Sequence, residues 1–365
     1  MRPREAVKEG ISNIPVRLFS PQLLENDYMK EIRKTARDLM TGFCRVCPVC
    51  NGKACAGEVP GMGGLGTGSA FMANVQALAR HTFNMRLVHD ITEPDAGAEL
   101  LGMKLSMPVL AAPIGGVAFN MGGKRTEQEY ITAVIDGCRN GGIIGCTGDG
   151  VPPFIYESAF AAIVAADGHG IPFIKPWEDA ELYDKLDKAR GTGASVIGMD
   201  IDAAGLITLR KMGRPVSPKP LEKLREIVAR TGAKFILKGI MTTEDARLAQ
   251  QAGAHAIVVS NHGGRVLDHT PGTADVLPRI AEEMKGKLEI IVDGGIRTGG
   301  DVLKMLALGA DAVMIGRPFS IAAMGGLTEG VAKYIELLRT ELLQAMIMTG
   351  TRSLRQIPPD LLHKN

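Results

Sequence analysis

The sequence predicts a (β/α)8 (TIM) barrel, an α/β fold, preceded by an N-terminal cysteine-containing extension. Three observations predict it. Short apolar runs alternate with amphipathic helical patterns through most of the chain, eight times over about 240 residues, as strands each followed by a helix would. Glycine recurs between a helical pattern and the next strand, at Gly141, Gly193, Gly232, Gly253 and Gly309, where it takes the left-handed cap conformation without steric penalty. Two of these junctions nearly repeat, Ala252-Gly253-Ala254-His255-Ala256-Ile257 and Leu308-Gly309-Ala310-Asp311-Ala312-Val313. A doubly wound open sheet is the competing arrangement, but no glycine-rich dinucleotide fingerprint follows any expected strand.

Bulk properties fit an ordinary globular enzyme. Of 365 residues 45% are hydrophobic and 22% charged, and 42 basic against 40 acidic residues leave a net charge of +2. That balance gives no support for a nucleic-acid partner. Met1-Arg2-Pro3-Arg4-Glu5 leads into mixed polar sequence, unlike a secretory signal, and no apolar run reaches the roughly 20 residues of a membrane span. A cytoplasmic protein is expected, working as a homo-oligomer (tetramer or octamer) on a small-molecule substrate.

In chain order, residues 1–84 read as a helical and loop extension and 85–365 as the barrel with its closing helices. Helical spacing runs from Asp27 to Leu39. Four of the six cysteines follow, as Cys44-x-x-Cys47-Pro48-x-Cys50-x-x-x-x-Cys55. Thiols this close suit a soft metal, zinc or an iron–sulfur cluster, although the second pair of a typical structural zinc site is missing. Reduced cysteines serving as small hydrophobes are the alternative. The glycine-rich stretch 56–70 is a loop without a GxxxxGK phosphate motif, and a helical pattern then covers Ala70 to His81. A polar segment leads to Met107-Pro108.

From Val109 onward the strands are expected at 109–112, 142–146, 172–175, 195–200, 234–238, 255–259, 289–292 and 311–315. Thr126-x-x-Glu129 is a capping box, and Thr242 and Thr298 stand just before further helices. The proline-rich patch at 215–220 is a loop inside the barrel. Helices over roughly 328–349 close the ring, leaving a short polar tail.

A barrel of this kind builds its site from loops at the C-terminal ends of the strands. Standing there are Ala112-Pro113-Ile114-Gly115-Gly116, Cys146-Thr147-Gly148-Asp149, Lys175-Pro176-Trp177, Asp200-Ile201-Asp202, Lys238, Ser260 to Asp268, Asp293-Gly294-Gly295-Ile296-Arg297 and Gly316-Arg317-Pro318. The last two segments are the usual phosphate site of the fold, where Gly294, Gly295, Gly316 and Arg317 can cradle a phosphate. Lys238 leaves an apolar strand and would stabilise negative charge. Asp202 is a candidate partner that orients His262. The stretch Ser260-Asn261-His262-Gly263-Gly264-Arg265-Val266-Leu267-Asp268 combines a proton carrier, His262, with a carboxylate anchor, Arg265. A glycine-rich turn with a satisfied histidine is the plain alternative.

Three segments carry a family resemblance: FILKGIMTTEDARLAQQAGAHAIVVSNHGGRVLD (235–268), IIVDGGIRTGGDVLKMLALGADAVMIGRPF (290–319) and, more weakly, LGMKLSMPVLAAP (101–113), with ELLQAMIMTGTRSLRQI (341–357) resembling a C-terminal helix. Together they resemble the FMN-dependent α-hydroxy acid oxidase and dehydrogenase family, which includes glycolate oxidase and lactate oxidase. The resemblance implies oxidation of a 2-hydroxy acid to the 2-oxo acid. It implies His262 as base, Asp202 as its support, and Lys238 beside the flavin ring. Arg265 and Arg210 would contact the substrate carboxylate. Pro113, Ile114, Gly115, Thr147, Lys175, Ser260, Asp293, Gly295, Arg297, Gly316 and Arg317 would hold FMN. Two active-site tyrosines of the family are replaced, one by Trp177, here a substrate-side candidate, the other by the 61–68 stretch. The connection from Asp202 to Lys238 is short, and the cysteine cluster is foreign to well-known members. The alternative functions are a flavin-dependent isomerase of the type 2 isopentenyl diphosphate isomerase kind, which lacks the His-Gly-Gly-Arg turn, and a flavin-binding protein with another substrate or with decayed catalysis.

Overall fold

Valine and isoleucine dominate runs such as Ala256–Val259 and Glu289–Val292, and their branched side chains fit a parallel sheet covered on both faces. In the computed structural model, which describes residues 21–214 and 216–363, eight such runs close into a parallel barrel. Residues 1–20, Pro215 and the last two residues of the polar tail lie outside the described residues. In chain order the elements are α1 (Pro21–Leu39), α2 (Ser69–Ala79), β1 (Ala98–Leu100), β2 (Met103–Leu105), β3 (Val109–Ile114), α3 (Val117–Asn120), α4 (Glu127–Asn140), β4 (Ile144–Thr147), α5 (Pro153–Ala165), β5 (Ile171–Ile174) and α6 (Asp179–Arg190). There follow β6 (Val196–Asp200), a 3-10 turn (Ile201–Gly205), α7 (Ile207–Lys211), α8 (Leu221–Thr231), β7 (Lys234–Ile240), α9 (Thr243–Gln251), β8 (Ala256–Val259), α10 (Thr273–Met284), β9 (Glu289–Val292), α11 (Gly299–Ala307), β10 (Ala312–Ile315) and α12 (Arg317–Met348).

Around the barrel the strands run β3 to β10 in sequence order, and β10 returns to β3 through the pairs Val313 with Val109 and Ile315 with Ala111. Every expected strand is present to within two residues at each end. The interior is filled by Leu110, Cys146, Phe173, Ile236, Val258, Ile291 and Met314. Leu100, Leu101 and Leu105 join that interior cluster from the antiparallel β1–β2 hairpin. The Leu101 N–H donates to the Glu289 carboxylate at the start of β9, so the hairpin plugs the N-terminal mouth and leaves the opposite mouth for the site. This hairpin lies in the segment that reads as merely polar.

Caps follow the sequence closely. Thr126 and Glu129 form the reciprocal box, and the Thr242 and Thr298 side chains accept the third helical N–H of α9 and α11. One glycine differs from expectation. Gly141 keeps a right-handed φ of −81°, and Gly142, at φ 68°, makes the left-handed turn instead. Gly141 is needed for packing, since a Cβ there would stand 2.7 Å from the Ile335 side chain. The closing helix begins at Arg317, earlier than expected, and breaks at Leu327 (φ 50°) before continuing to Met348. Among the described residues no helix is long and apolar enough to cross a membrane.

Candidate active site

The strand ends deliver the expected side chains to one place. Asp200 ends β6, the 3-10 turn after it carries Asp202, and Lys238 lies across from Asp200 on β7. Beyond Lys238 the β7–β8 register shifts, and Gly239 sits at the irregularity with φ 107°. A side chain at Gly239 would collide with Asp202, whose Cβ lies 2.6 Å from where it would start. Glycine at this position therefore lets Asp202 close on the barrel mouth.

His262 follows β8 in the left-handed region (φ 57°), an uncommon choice for a residue with a side chain. Its N–H donates to Ser260 Oγ at 3.0 Å, and Ser260 Oγ donates to Asp293 Oδ2 at 2.8 Å. On the ring, Nδ1 stands 3.0 Å from Asp202 Oδ1. Burial disfavours ionisation of Asp202, but Lys238 and His262 outweigh it and hold the carboxyl down at about 2. A carboxylate cannot donate, so Nδ1 carries the hydrogen of this bond, and in the neutral ring the lone pair lies on Nε2.

Lys238 is buried, with Asp202 Oδ2 at 3.6 Å and Asp293 Oδ2 at 3.8 Å. Those distances are ion pairs beyond hydrogen-bond length. Burial lowers the Lys238 pKa, yet Asp202, Asp293 and Asp200 reverse this and raise it, so the ammonium stays charged. Lys175 Nζ donates to Asp200 Oδ2 at 2.9 Å. Burial raises the Asp293 pKa despite Lys238 and Ser260.

These groups border a wide cavity that opens to solvent. Pro113, Ile114, Gly115, Lys175, Lys238, His262, Arg265, Asp293, Gly295, Arg297, Gly316 and Arg317 line it. Thr147 and Ser260 are buried and are not among the lining residues. Buried polar atoms without a hydrogen-bond partner gather here: Thr147 Oγ1, Asp200 Oδ1, Asp202 Oδ2, Lys238 Nζ, Asp293 Oδ1 and Arg297 Nε. Such atoms are costly unless a ligand or water meets them.

Among the described residues Arg265 and Arg317 bond carbonyl and amide oxygens and no carboxylate. Arg265 donates to the Gly61 and Gly63 carbonyls and to Asn120 Oδ1, and Arg317 donates to the carbonyls of Met62, Gly63 and Gly263. Arg317 also stacks on Phe71, 3.7 Å from the ring centre. Lost hydration, then mutual repulsion, pushes Arg265 down to about 9, and lost hydration pushes Arg317 down to about 10. Both remain cations at neutral pH, and the depression shows how strongly the wall favours an anion. The residues thus fit a ligand with a phosphate near Arg297 and Arg317, uncharged polar atoms toward Thr147, and a second anion at Arg265.

Two substrate-side expectations are corrected. Trp177 is buried, donates from Nε1 to Asp149 Oδ2 at 2.5 Å, and takes no part in the cavity lining. It belongs to a support in which Asp149 also accepts from Lys185 Nζ (2.8 Å) and the Lys175 N–H (3.0 Å). Arg210 is exposed on α7 and also stays outside the lining. The short connection that carries it still covers the site, through Leu206, Leu209 and Met212. Cys44, Cys47, Cys50 and Cys55 are free thiols, and among the described residues the metal-ligand grouping with atoms within 4.8 Å of one another is Asp200, Asp202 and His262. A single zinc ion on the cysteines is therefore not preformed. At the Asp200–Asp202 grouping Lys175 and Lys238 already supply the positive charge.

Several contributors carry no local sequence signal. Glu127, buried, accepts the N–H groups of Gly116 (2.9 Å) and Val117 (2.8 Å) and fixes the loop after β3. Asn74 of α2 bonds Asn261 (2.8 Å) and accepts the Thr273 N–H (3.1 Å), tying the extension to the His262 turn. Asp268 accepts from Thr67 and Ser69 at the start of α2.

Comparison with known proteins agrees with this geometry. Residues 61–214 and 210–364 match the sequence model of the family described as FMN-dependent dehydrogenase. Glycolate oxidase of Spinacia oleracea is 32% identical over 326 residues, covering 78% of this chain and 85% of the relative. An L-lactate dehydrogenase of Xanthomonas campestris is 49% identical over 149 residues, 41% of this chain and 38% of the relative. A crystal structure of mandelate oxidase superposes with TM-score 0.73 at 28% identity, covering 92% of this chain and 97% of the other.

Proposed function

The chain belongs to the FMN-dependent dehydrogenase family, and from that premise we propose that it oxidises a 2-hydroxy acid to the 2-oxo acid with His262 as the base. The observation that carries the reading is the His262–Asp202 pair, at 3.0 Å, beside Lys238 and a carboxylate-seeking Arg265 in one cavity. The similar proteins named 2-hydroxyacid oxidase and L-lactate dehydrogenase favour this over the isomerase alternative.

FMN, when bound, supplies a two-electron acceptor for the hydrogen that leaves the substrate carbon as a hydride equivalent. Arg297, Gly295, Gly316 and Arg317 would hold its phosphate, Asp293 and Thr147 its polar atoms, and Pro113, Ile114 and Gly115 the wall behind it. Lys175 and Lys238 keep positive charge at the barrel mouth, where negative charge develops. Arg265 anchors the substrate carboxylate through two parallel hydrogen bonds, exchanging the loop carbonyls for an anion. His262 Nε2 takes the proton of the substrate hydroxyl, so that loss of the hydride equivalent from carbon leaves the 2-oxo group, and Asp202 stabilises the imidazolium that results. Leu206, Leu209, Met212 and Met62 present an apolar wall, so the substrate side chain is apolar. A homo-oligomeric assembly and a cytoplasmic location complete the proposal. The test is anaerobic mixing of the FMN-loaded protein with a panel of 2-hydroxy acids. Bleaching of the flavin by apolar members supports the reading, and no bleaching by any member refutes it.

A further inference from the structure

The cysteine loop surrounds a second, small cavity lined by Cys44, Cys47, Cys50 and Cys55. Met62 and Arg317 line both this space and the larger one, so they form a shared wall. The first three cysteines follow the Cys-x-x-Cys-x-x-Cys run used by bacterial iron–sulfur proteins, and the fourth comes after four more residues.

The backbone is shaped for sulfur ligation. Val46 is fully buried and sits at φ 45°, a region that β-branched residues avoid unless their surroundings enforce it. That turn brings the Val46 N–H to 3.4 Å from Cys44 Sγ, and Arg297 Nη2 lies 3.6 Å from Cys50 Sγ. Hydrogen bonds to sulfur tune iron–sulfur centres. The loop is braced from α1, where Arg33 donates to the Cys47 carbonyl at 2.6 Å and Arg37 to the Val46 carbonyl at 3.2 Å.

A lone tetrahedral ion with 2.3 Å sulfur bonds needs sulfurs about 3.8 Å apart. Among the described residues no three of these sulfurs fall within 4.8 Å of one another. A four-iron cluster gives each cysteine its own iron and spaces the sulfurs more widely. Its net negative charge would also face Arg297 and Arg317, which have no carboxylate partner among the described residues. We propose that Cys44, Cys47, Cys50 and Cys55 ligate a [4Fe–4S] cluster separated from the larger cavity by Met62 and Arg317. The cluster stands on the loop's own geometry; only its nearness to a flavin phosphate rests on the reading above.

The full chain, purified without oxygen, is analysed for iron, acid-labile sulfide and FMN, and by electron paramagnetic resonance after dithionite reduction. The expected result is near-equal iron and sulfide, about four of each per chain, with a fast-relaxing reduced-cluster signal. Cys47→Ser should lose most of the iron while keeping its FMN. Failure to take up iron and sulfide on anaerobic reconstitution, or one zinc per chain in their place, would overturn the proposal. The wild-type measurements decide this even where Cys47→Ser does not fold. FMN content is measured separately, so a missing cluster and a missing flavin are distinguishable.

Discussion

Asp202→Asn isolates the charge behind His262 with little change of shape. The Asp202 carboxyl sits at about 2 against an ordinary 3.8, because Lys238 and His262 overcome the cost of burial. At 1.36 kcal/mol per pKa unit the difference corresponds to about 2 kcal/mol of net stabilisation of the carboxylate. Asparagine still accepts the Nδ1 hydrogen but offers no charge to the imidazolium that forms as the proton moves. If that whole amount is felt at the transition state, flavin reduction slows roughly 30-fold. Lys238 keeps Asp293 at 3.8 Å, so FMN binding should persist. The assay is stopped-flow reduction without oxygen, with FMN content measured on the same sample. The same shift sets a pH dependence. A depressed carboxyl stabilises the fold above its unfolded value, near 3.8, and that contribution is lost as pH falls toward 2. The melting-temperature gap between wild type and variant should therefore be wide at pH 6, narrow below about pH 4 and close only near pH 2. Wild-type reduction rates in an FMN-loaded Asn variant would refute the role assigned to Asp202.

Arg265→Lys keeps the charge but loses the two-pronged fork, so half-saturation by substrate should rise about tenfold or more, with FMN retained; an unchanged value would place the carboxylate elsewhere. Gly264→Ala sets a Cβ 2.3 Å from the Phe71 nitrogen at a φ of 76°, and should cost about 2–4 kcal/mol, on the order of 3–5 °C in melting temperature. A variant melting within a degree of wild type would mean that α2 does not pack on the turn as described. Trp177→Phe removes the bond to Asp149 and should lower the melting temperature while leaving substrate half-saturation unchanged, since Trp177 is off the cavity.

Much of the barrel is legible in the sequence because each strand is an apolar run ended by a turn-forming residue. In a parallel barrel every strand end faces one mouth, so Asp202, Lys238 and His262 could be placed together despite lying up to 60 residues apart. What escapes is contact between remote segments. Nothing near Glu127 reports that it will hold the Gly116 and Val117 amides, and nothing near Gly61 reports that its carbonyl will occupy Arg265. Trp177 stands off the cavity lining because position at a strand end does not fix which way an indole turns; the buried Asp149 carboxylate claims its N–H. The β1–β2 hairpin is too short for a clear alternation, at three residues a strand.

The central claim is that His262 takes the substrate proton, and anaerobic mixing of FMN-loaded His262→Ala with a 2-hydroxy acid that reduces the wild type tests it most directly. With His262 as the base, the variant should hold its FMN while reduction slows by about 10²–10⁴-fold. Reduction at the wild-type rate would contradict it.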